Sequence, residues 1–415
     1  MKQLKIRKLV LFLLLLTTIP SVTLSSLQAQ NSKQKHTRVA AQITTQTSHG
    51  SDFKIENQNP QNQATLLASP QAAFKYIEAS DLNLIGKPFP NTPNPYHRVD
   101  TLIFKGFNTT ENRQVRCPVG MAVLFKSNTR NISVSTEWGY VYNSVSTMPI
   151  AFKGYDLYIR NAKGEWQYAA SGANKEYEKG QTDTFTLIAN MDGSVHDFML
   201  YMPMYSEVLS FKIGTDPDAS IEPLESPFRH RIAVYGSSFT QGVSTSRAGM
   251  SWPMQFMRHT GLQIVSIAAS GRCMMQPYYT TVLEALEADA FIFDTFSNPD
   301  AEMIRERLMP FIERLIKAHP GKPLIFQRTI YRERRNFDTA LEKREAEKAL
   351  AVEELFAELK NGKDKARYKD VYLITPNASD SHETSVDGTH PDNYGYTLWS
   401  RSIEKPVLRI LKRYN

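Results

Sequence analysis

Hydrophobic and polar positions follow two different patterns along the chain. From about residue 74 to residue 225 the apolar runs are short, and in Ile132–Trp138 every second side chain falls on one face. Ala122–Phe125 and Thr182–Ile188 are further short runs, and Gly, Asn and Pro lie between the runs. Short strands separated by turn residues are typical of an antiparallel β-sandwich.

The pattern changes after about residue 229, where continuous apolar runs alternate with segments of helical period. The predicted strands are Ile232–Tyr235, Ile264–Ala268, Ala290–Asp294, Pro323–Gln327 and Val371–Thr375. The predicted helices are Trp252–His259, Thr281–Glu287, Ala301–Ala318, Asp338–Lys360 and Tyr394–Leu411. Apolar strands that alternate with helices predict a five-stranded parallel sheet covered on both faces, and ligands bind beyond the carboxyl ends of such strands.

The first 73 residues fit neither pattern. Four basic residues precede the apolar run Leu9–Leu16, and the small residue Ala29 follows it, which predicts a secretory signal peptide over residues 1–29. The run is short for a membrane-spanning helix, which needs about 20 residues, and an uncleaved anchor is the alternative. Residues 30–73 are polar and predict a flexible leader. We therefore expect an exported, periplasmic or extracellular protein with domains over residues 74–225 and 226–415.

Composition narrows the functional classes. The net charge of +7 falls to +3 without residues 1–29, and no basic run is interleaved with aromatic residues, so a nucleic-acid partner is not expected. The nine histidines are scattered without metal-site spacing, and we expect neither a metal nor a cofactor. Cys117 and Cys273 fall in different predicted domains, which favours buried free thiols over a disulfide.

Two charged stretches have a simple interpretation. The charged segment Asp338–Lys360 is interpreted as a solvated helix face held by pairs four residues apart. Arg328, Arg332 and Arg334 follow the fourth predicted strand, where solvent-facing loop charge and contact with an acidic sugar are both possible roles.

Three predicted strands end in residues suited to acyl chemistry. Ser238 follows the first strand, and a serine after a glycine at a strand-to-helix turn can project its hydroxyl beyond the sheet. Gly271 follows the second strand, where a backbone N–H can approach a ligand closely, and Asn298 follows the third. Taken singly, each has an ordinary alternative, since serine caps helices and glycine and asparagine form turns.

A candidate base follows the fifth strand, in the segment Asp387–Pro391. Acyl transfer through a serine needs a base of near-neutral pKa, and the base works best when a carboxylate fixes its tautomer. Asp387 and His390, framed by a glycine and a proline, supply both groups from one loop. His382 is a rival base that lacks this frame.

The order of these residues resembles the SGNH/GDSL hydrolase family, whose four blocks carry Ser, Gly, Asn and His in this sequence. The resemblance covers residues 229–413 and implies a flavodoxin-like three-layer α/β/α domain. It implies Ser238 as nucleophile, His390 with Asp387 as the base pair, and the N–H groups of Ser238, Gly271 and Asn298 as the oxyanion hole.

The chain departs from the family pattern in two blocks. The usual Gly-Asp-Ser is replaced by Gly236–Ser238, with serine at the central position. The usual Gly-x-Asn-Asp is replaced by Phe296–Pro299, which retains Asn298.

A second resemblance concerns the β-rich region. Gly154–Tyr158 matches the Gly-x-Asp-Leu-Tyr signature of a domain that precedes certain bacterial SGNH esterases, and Thr240–Gly242 and Ser246–Met250 also resemble that subgroup. The resemblance implies a jelly-roll-like domain and a carbohydrate esterase that removes acetyl groups from an acylated polysaccharide or oligosaccharide. An acyltransferase or lipase-like esterase with the same triad, and a non-catalytic glycan-binding protein, remain alternatives.

Overall fold

A computed structural model describes residues 73–177 and 180–414 of the chain. The predicted signal peptide and all but the last residue of the predicted leader lie outside the described residues. Among the helices that the structure describes, none combines the length and the apolar composition needed to cross a membrane. Residues 73–223 are called the β-sandwich part below, and residues 229–414 the α/β part.

The β-sandwich part contains two antiparallel sheets. One has the strand order β1-β9-β4-β7, and the other has the order β10-β3-β8-β5-β6 with β2 also paired to β3. The strands are β1 Lys75–Glu78, β2 Asn83–Ile85, β3 Ala122–Ser127, β4 Ile132–Trp138, β5 Tyr155–Arg160, β6 Trp166–Gly172, β7 Asp183–Ile188, β8 His196–Tyr201, β9 Val208–Thr215 and β10 Ile221–Pro223. The helices α1, Thr109–Arg116, and α2, Pro149–Lys153, lie between strands.

The two antiparallel sheets face each other across a common core. Val123 and Phe125 of β3 belong to the same buried cluster as Val134 of β4 and Phe211 of β9. The ring of Tyr155 stacks on Phe211 with centroids 4.3 Å apart. The predicted antiparallel β-sandwich is therefore confirmed.

The α/β part contains a parallel sheet with the strand order β12-β11-β13-β14-β15. Its strands are β11 Arg229–Gly236, β12 Leu262–Ser266, β13 Ala290–Asp294, β14 Leu324–Gln327 and β15 Val371–Ile374. Its helices are α3 Ser238–Gln241, α4 Trp252–Thr260, α5 Pro277–Glu284, α6 Ala301–Ala318, α7 Thr339–Asn361 and α8 Asn393–Leu411. This is the flavodoxin-like strand order, so the predicted fold class is confirmed.

Alternate residues of the parallel strands serve two cores. Ile232 and Val234 of β11 pack in a cluster with side chains of α4 and α8. Ala233 and Tyr235 pack on the opposite face, with side chains of α5, α6 and α7. Helices therefore cover both faces of the sheet, as the continuous apolar strands predict.

The β-sandwich part and the α/β part share one of these cores. On the outer face of the six-stranded sheet, Leu124, Tyr158 and Met199 belong to the same buried cluster as Trp252 of α4 and Trp399 of α8. The two tryptophan rings stack with centroids 5.4 Å apart. The six-stranded sheet is thus buried on both faces, and the β-sandwich part forms one side of the core that α4 and α8 share.

Candidate active site

Ser238, His390 and Asp387 form a continuous chain of hydrogen bonds. Ser238 Oγ lies 2.9 Å from His390 Nε2, and His390 Nδ1 lies 2.8 Å from Asp387 Oδ2. The serine is 8% exposed at the carboxyl end of β11. A hydroxyl in this position can pass its proton to the imidazole as it attacks a carbonyl carbon, while the carboxylate holds the ring and its tautomer.

The turn between β11 and α3 places the serine hydroxyl. A Cβ built on Gly236 would lie 2.0 Å from Thr240 Oγ1, so a side chain there would force the turn open. Ser237 Oγ accepts the N–H of Phe239 and caps α3. Gly242, with a φ of 91°, ends the helix after one turn. Ser238 is therefore the first helical residue beyond the strand.

The loop that carries His390 is closed by its own hydrogen bonds. Asp387 Oδ1 accepts the N–H groups of Thr389 (2.9 Å) and His390 (2.7 Å), and Ser385 pairs with Pro391 across the loop. Burial acts to raise the pKa of Asp387, but the hydrogen bonds and charge of His390 outweigh burial and hold that pKa well below its usual value. The carboxylate therefore stays ionised and available to the imidazole.

Asp294 supports the nucleophile turn from the end of β13. Its buried carboxylate accepts the hydroxyls of Ser237 (2.8 Å), Thr240 (2.9 Å) and Ser297 (2.8 Å). Burial raises the pKa of this carboxyl above the ordinary Asp value, although these donors act in the opposite direction. Asp294 therefore joins the loops after β11 and β13.

Gly271 lies in the turn Ala269–Arg272 that follows β12. Its φ is 66°, and a Cβ built there would meet no atom within 4 Å, so the residue borders open space. The preceding N–H, that of Ser270, donates to Gln241 Oε1 at 2.9 Å. Because Gln241 ends the helix that begins at Ser238, the glycine turn is tied directly to the nucleophile helix.

Asn298 lies beside the same turn. Its Oδ1 accepts the N–H of Cys273 at 3.1 Å, which leaves Nδ2 with no hydrogen-bond partner among the described residues. The carbonyl of Ser297 is held by Arg332 (2.6 Å) and by Lys348 Nζ (3.1 Å). Asn298 can therefore present an amide N–H from a fixed loop, as an oxyanion donor must.

The rival base has a different partner. His382 Nδ1 lies 2.7 Å from Glu333 Oε2, and the imidazole is largely exposed. The imidazole within hydrogen-bond distance of Ser238 Oγ is that of His390.

Both cysteines are buried free thiols. Burial raises the pKa of Cys117 to about 12 and that of Cys273 well above its usual value. Neither thiol is therefore poised as a thiolate nucleophile. Among the described residues, no group of three or more His, Cys, Asp or Glu side chains is arranged to hold a metal ion.

Comparison with known proteins assigns the chain to a family. Residues 229–409 match the model of the GDSL-like lipase/acylhydrolase family. Residues 74–221 match the GxDLY family, the N-terminus of SGNH-hydrolase-type esterases. A crystal structure of a Bacteroides ovatus protein described as a GDSL-like lipase shares 32% identity and a TM-score of 0.76 over 82% of this chain and 98% of that chain.

The chain belongs to the GDSL-like lipase/acylhydrolase family. Two more distant structures share the fold of this GDSL-family protein. A salicylyl-acyltransferase from a tetracycline biosynthetic pathway is 14% identical, with a TM-score of 0.62 over 81% of this chain and 98% of that chain. A family two carbohydrate esterase from Cellvibrio japonicus is 13% identical, with a TM-score of 0.52 over 83% of this chain and 100% of that chain. None of the curated proteins matches the chain.

Sequence reasoning missed polar residues that hold the candidate site of this GDSL-family protein, among them Gln241 and Lys348. Gln241 belongs to a segment noted only for its resemblance, yet it is fully buried and binds Ser270. Lys348 belongs to the charged helix interpreted as a solvated face, but its side chain is only 8% exposed and bonds to Glu345 at 2.8 Å. The helical period of α7 is the signal that could have predicted the burial of Lys348. One stripe of the helix, with spacings of three and four residues, is buried and contains Leu341, Glu345, Lys348 and Val352.

The GxDLY signature of this GDSL-family protein lies at the contact between its two parts. Asp156 is fully buried, and its Oδ2 accepts Arg247 at 2.9 Å and the N–H of Gly249 at 2.8 Å. The hydroxyl of Tyr158 also accepts Arg247, at 2.6 Å. The signature therefore anchors the segment that follows the nucleophile helix, while Tyr158 also packs in the shared core.

Proposed function

We propose that this GDSL-family protein is an exported serine esterase that removes O-acetyl groups from a polysaccharide or oligosaccharide. The observation that carries the proposal is the hydrogen-bond chain from Ser238 through His390 to Asp387, with separations of 2.9 Å and 2.8 Å. This is the geometry that activates a serine hydroxyl for acyl transfer.

The reaction follows from the roles of these three residues. His390 Nε2 takes the proton of Ser238 as Oγ attacks the ester carbonyl, and the tetrahedral intermediate forms. The imidazolium, stabilised by the Asp387 carboxylate, then protonates the leaving alcohol of the sugar, and an acyl-serine remains. Water, activated by the same imidazole, attacks the acyl-serine, releases the acid and restores the serine.

Three N–H groups are proposed to stabilise the oxyanion: the backbone N–H groups of Ser238 and Gly271 and the side-chain amide of Asn298. The open space at Gly271 and the unpartnered Nδ2 of Asn298 among the described residues support these assignments. Removing one oxyanion donor typically lowers kcat by about 10² to 10³, so Asn298→Ala should be severely impaired while retaining a measurable rate.

The substrate class rests on resemblance and on architecture. The family two carbohydrate esterase from Cellvibrio japonicus and this chain share their fold along nearly all of that protein. A family two carbohydrate esterase from Clostridium thermocellum, 13% identical with a TM-score of 0.50, is described in complex with cellohexaose. Export would bring the enzyme to such polymers. The salicylyl-acyltransferase neighbour supports acyl transfer to another acceptor as the second candidate.

The test is acetate release from a panel of acetylated glycans and from 4-nitrophenyl acetate, by wild type and Ser238→Ala. A matched control is Ser194→Ala, which removes an exposed hydroxyl from the β-sandwich part. We expect release by wild type and the control, and none above background by Ser238→Ala. Equal release by Ser238→Ala would exclude the proposed nucleophile. Formation of an acetylated product from an added sugar acceptor, in place of free acetate, would favour the acyltransferase.

A further inference from the structure

The turn Ala269–Arg272 has the geometry of a type II turn. The N–H of Arg272 donates to the carbonyl of Ala269 at 3.0 Å, which closes the turn. Gly271, at its third position, has a positive φ of 66°, whereas Ser270 is not among the residues with positive φ. A positive φ at the third position alone is the mark of a type II turn, and it favours glycine there.

The central peptide of such a turn can point in either of two directions. Between type I and type II turns the ψ of the second residue changes from about −30° to about +120°, and the φ of the third from about −90° to about +80°. These changes turn the central peptide over. Here that peptide joins the Ser270 carbonyl to the Gly271 N–H, so its orientation decides where the proposed oxyanion donor points.

Gln114 of α1 holds this peptide. Its Nε2 donates to the Ser270 carbonyl at 2.9 Å. Since the peptide is planar and trans, the N–H of Gly271 points away from the carbonyl and hence away from α1. The Gly271 N–H has no hydrogen-bond partner among the described residues, and the glycine borders open space. A hydrogen bond to the carbonyl also polarises the peptide and strengthens its N–H as a donor.

The β-sandwich part holds the glutamine itself firmly. The fully buried Arg98 donates to the Gln114 carbonyl, and also to the carbonyls of Ser266 (2.8 Å) and Ala268 (3.1 Å) in the strand end that leads to the turn. The helix α1 begins with a capping box between Asn108 and Glu111. Gln114 therefore extends from a fixed helix to a fixed strand end.

We propose that Gln114 is a positioning residue that selects the type II orientation of the Ser270–Gly271 peptide and thereby directs the Gly271 N–H at the oxyanion. The inference rests on the proposed esterase function. Gln114 does not touch the reacting atoms. Through Gln114, the β-sandwich part would contribute to the geometry of the oxyanion hole.

The deciding variant is Gln114→Met, which keeps the length of the side chain and removes the donor. It leaves the Ser270 carbonyl without its donor, but it also removes Gln114 Oε1, which is buried without a partner among the described residues, so the two effects on stability partly offset each other. With 4-nitrophenyl acetate we expect kcat to fall about 10-fold or more. Complete loss of an oxyanion donor lowers kcat by about 10² to 10³, which sets the upper limit of the effect. KM should stay within about 2-fold, because the contact acts in the transition state. The pH profile should keep its midpoint, since His390 and Asp387 are untouched.

A matched control is Gln255→Met. Gln255 Nε2 donates to the Met250 carbonyl at 2.8 Å, which is a bond of the same kind in the α/β part, away from the turn Ala269–Arg272. Its kcat should remain that of wild type. If Gln114→Met fails to fold, Gln114→Asn keeps the amide but is one methylene too short to reach the carbonyl, and it carries the same expectation.

The outcomes separate the two proposals. A wild-type kcat in Gln114→Met, or an equal loss in Gln255→Met, would overturn the positioning role while Ser238→Ala still showed the esterase to be a serine enzyme. Absence of ester hydrolysis by wild type would overturn both. A selective loss of kcat in Gln114→Met, with unchanged KM and pH midpoint, would support the role.

Discussion

Ser237 donates its hydroxyl to the buried carboxylate of Asp294, with 2.8 Å between the two oxygens. The usual Gly-Asp-Ser block of SGNH hydrolases has an aspartate where this chain has Ser237. Here the carboxylate belongs to Asp294 at the end of β13, and the nucleophile turn contributes the hydroxyl of Ser237. In this chain the nucleophile turn is therefore held by hydroxyl groups that donate to the carboxylate of Asp294.

Restoring the family residue should destabilise this protein. Ser237→Asp places a second carboxylate against the buried Asp294, and an uncompensated buried charge costs about 3 kcal/mol or more of unfolding free energy. The pair retains a proton in the folded state, with a pKa above the unfolded value, so stability falls as pH rises through that raised pKa. The Tm deficit relative to wild type should be larger at pH 8 than at pH 5.

Ser237→Ala is the control for this prediction. It loses the hydroxyl and the helix cap without adding charge, so its Tm deficit should be smaller and nearly equal at the two pH values. A deficit in Ser237→Asp that is the same at pH 5 and pH 8 would contradict the charge explanation.

Replacing Asp387 by asparagine should nearly abolish turnover. The side-chain amide of the Asp387→Asn variant would not hold the His390 tautomer that leaves Nε2 free to accept the serine proton, and the corresponding change in a Ser-His-Asp triad lowers kcat by about 10⁴. Initial rates with 4-nitrophenyl acetate measure the effect. Asp380→Asn, on the exposed segment beyond β15, is the control and should leave kcat unchanged.

The depressed pKa of Asp387 predicts a contribution to the free energy of unfolding that disappears in acid. Because its folded-state pKa lies below the unfolded value of about 3.9, the stabilisation is fully present above that value and is lost as pH falls through the folded-state pKa. Urea unfolding between about pH 5 and pH 2 should show a steeper loss of stability in wild type than in Asp387→Asn. Parallel curves would exclude the contribution.

Breaking the contact made by the GxDLY aspartate should destabilise the whole fold. Asp156→Asn removes the partner of Arg247 at a site where the carboxylate is fully buried, and breaking such a pair costs about 3 to 5 kcal/mol. Urea unfolding measures the change. The exposed pair Arg305–Glu354 provides the control, since Arg305→Ala should change stability by no more than about 0.5 kcal/mol. If the two substitutions lowered the free energy of unfolding equally, the buried contact would contribute no more to stability than the exposed pair.

The α/β part could be predicted well from the sequence because its strands are uniformly apolar. The predicted and observed bounds of β13 and α6 coincide, and those of the other parallel strands differ by a few residues at their ends. The sequence also marks the candidate site: Ser238, Gly271 and Asn298 lie a few residues after β11, β12 and β13, whereas Asp387 and His390 lie on a longer loop after β15 and are marked by the adjacent glycine and proline. Position relative to a strand end is a local property, and the sequence displays it.

What the sequence did not reveal depends on contacts between distant segments. Ala122–Phe125 predicts a strand, but only the packed structure shows that Leu124 faces the α/β part while Phe125 faces the sandwich interior. Gln114 and Gln241 bind Ser270 in the turn Ala269–Arg272 from distant positions in the sequence, and no local pattern predicts these contacts. The burial of Glu345 and Lys348 was not predicted, because charged side chains on a helix usually face solvent.

The shared core has a consequence for how the protein is made. The β-sandwich part is complete by Pro223 and leaves the ribosome first, while Trp252 and Trp399, which cover the outer face of its six-stranded sheet, come later in the chain. Until α4 and α8 have been synthesised, an apolar face that includes Leu124, Tyr158 and Met199 has no partner within the described part of the chain. Order of synthesis thus leaves the N-terminal half with an exposed apolar face, a feature that favours aggregation, until α8 has been added.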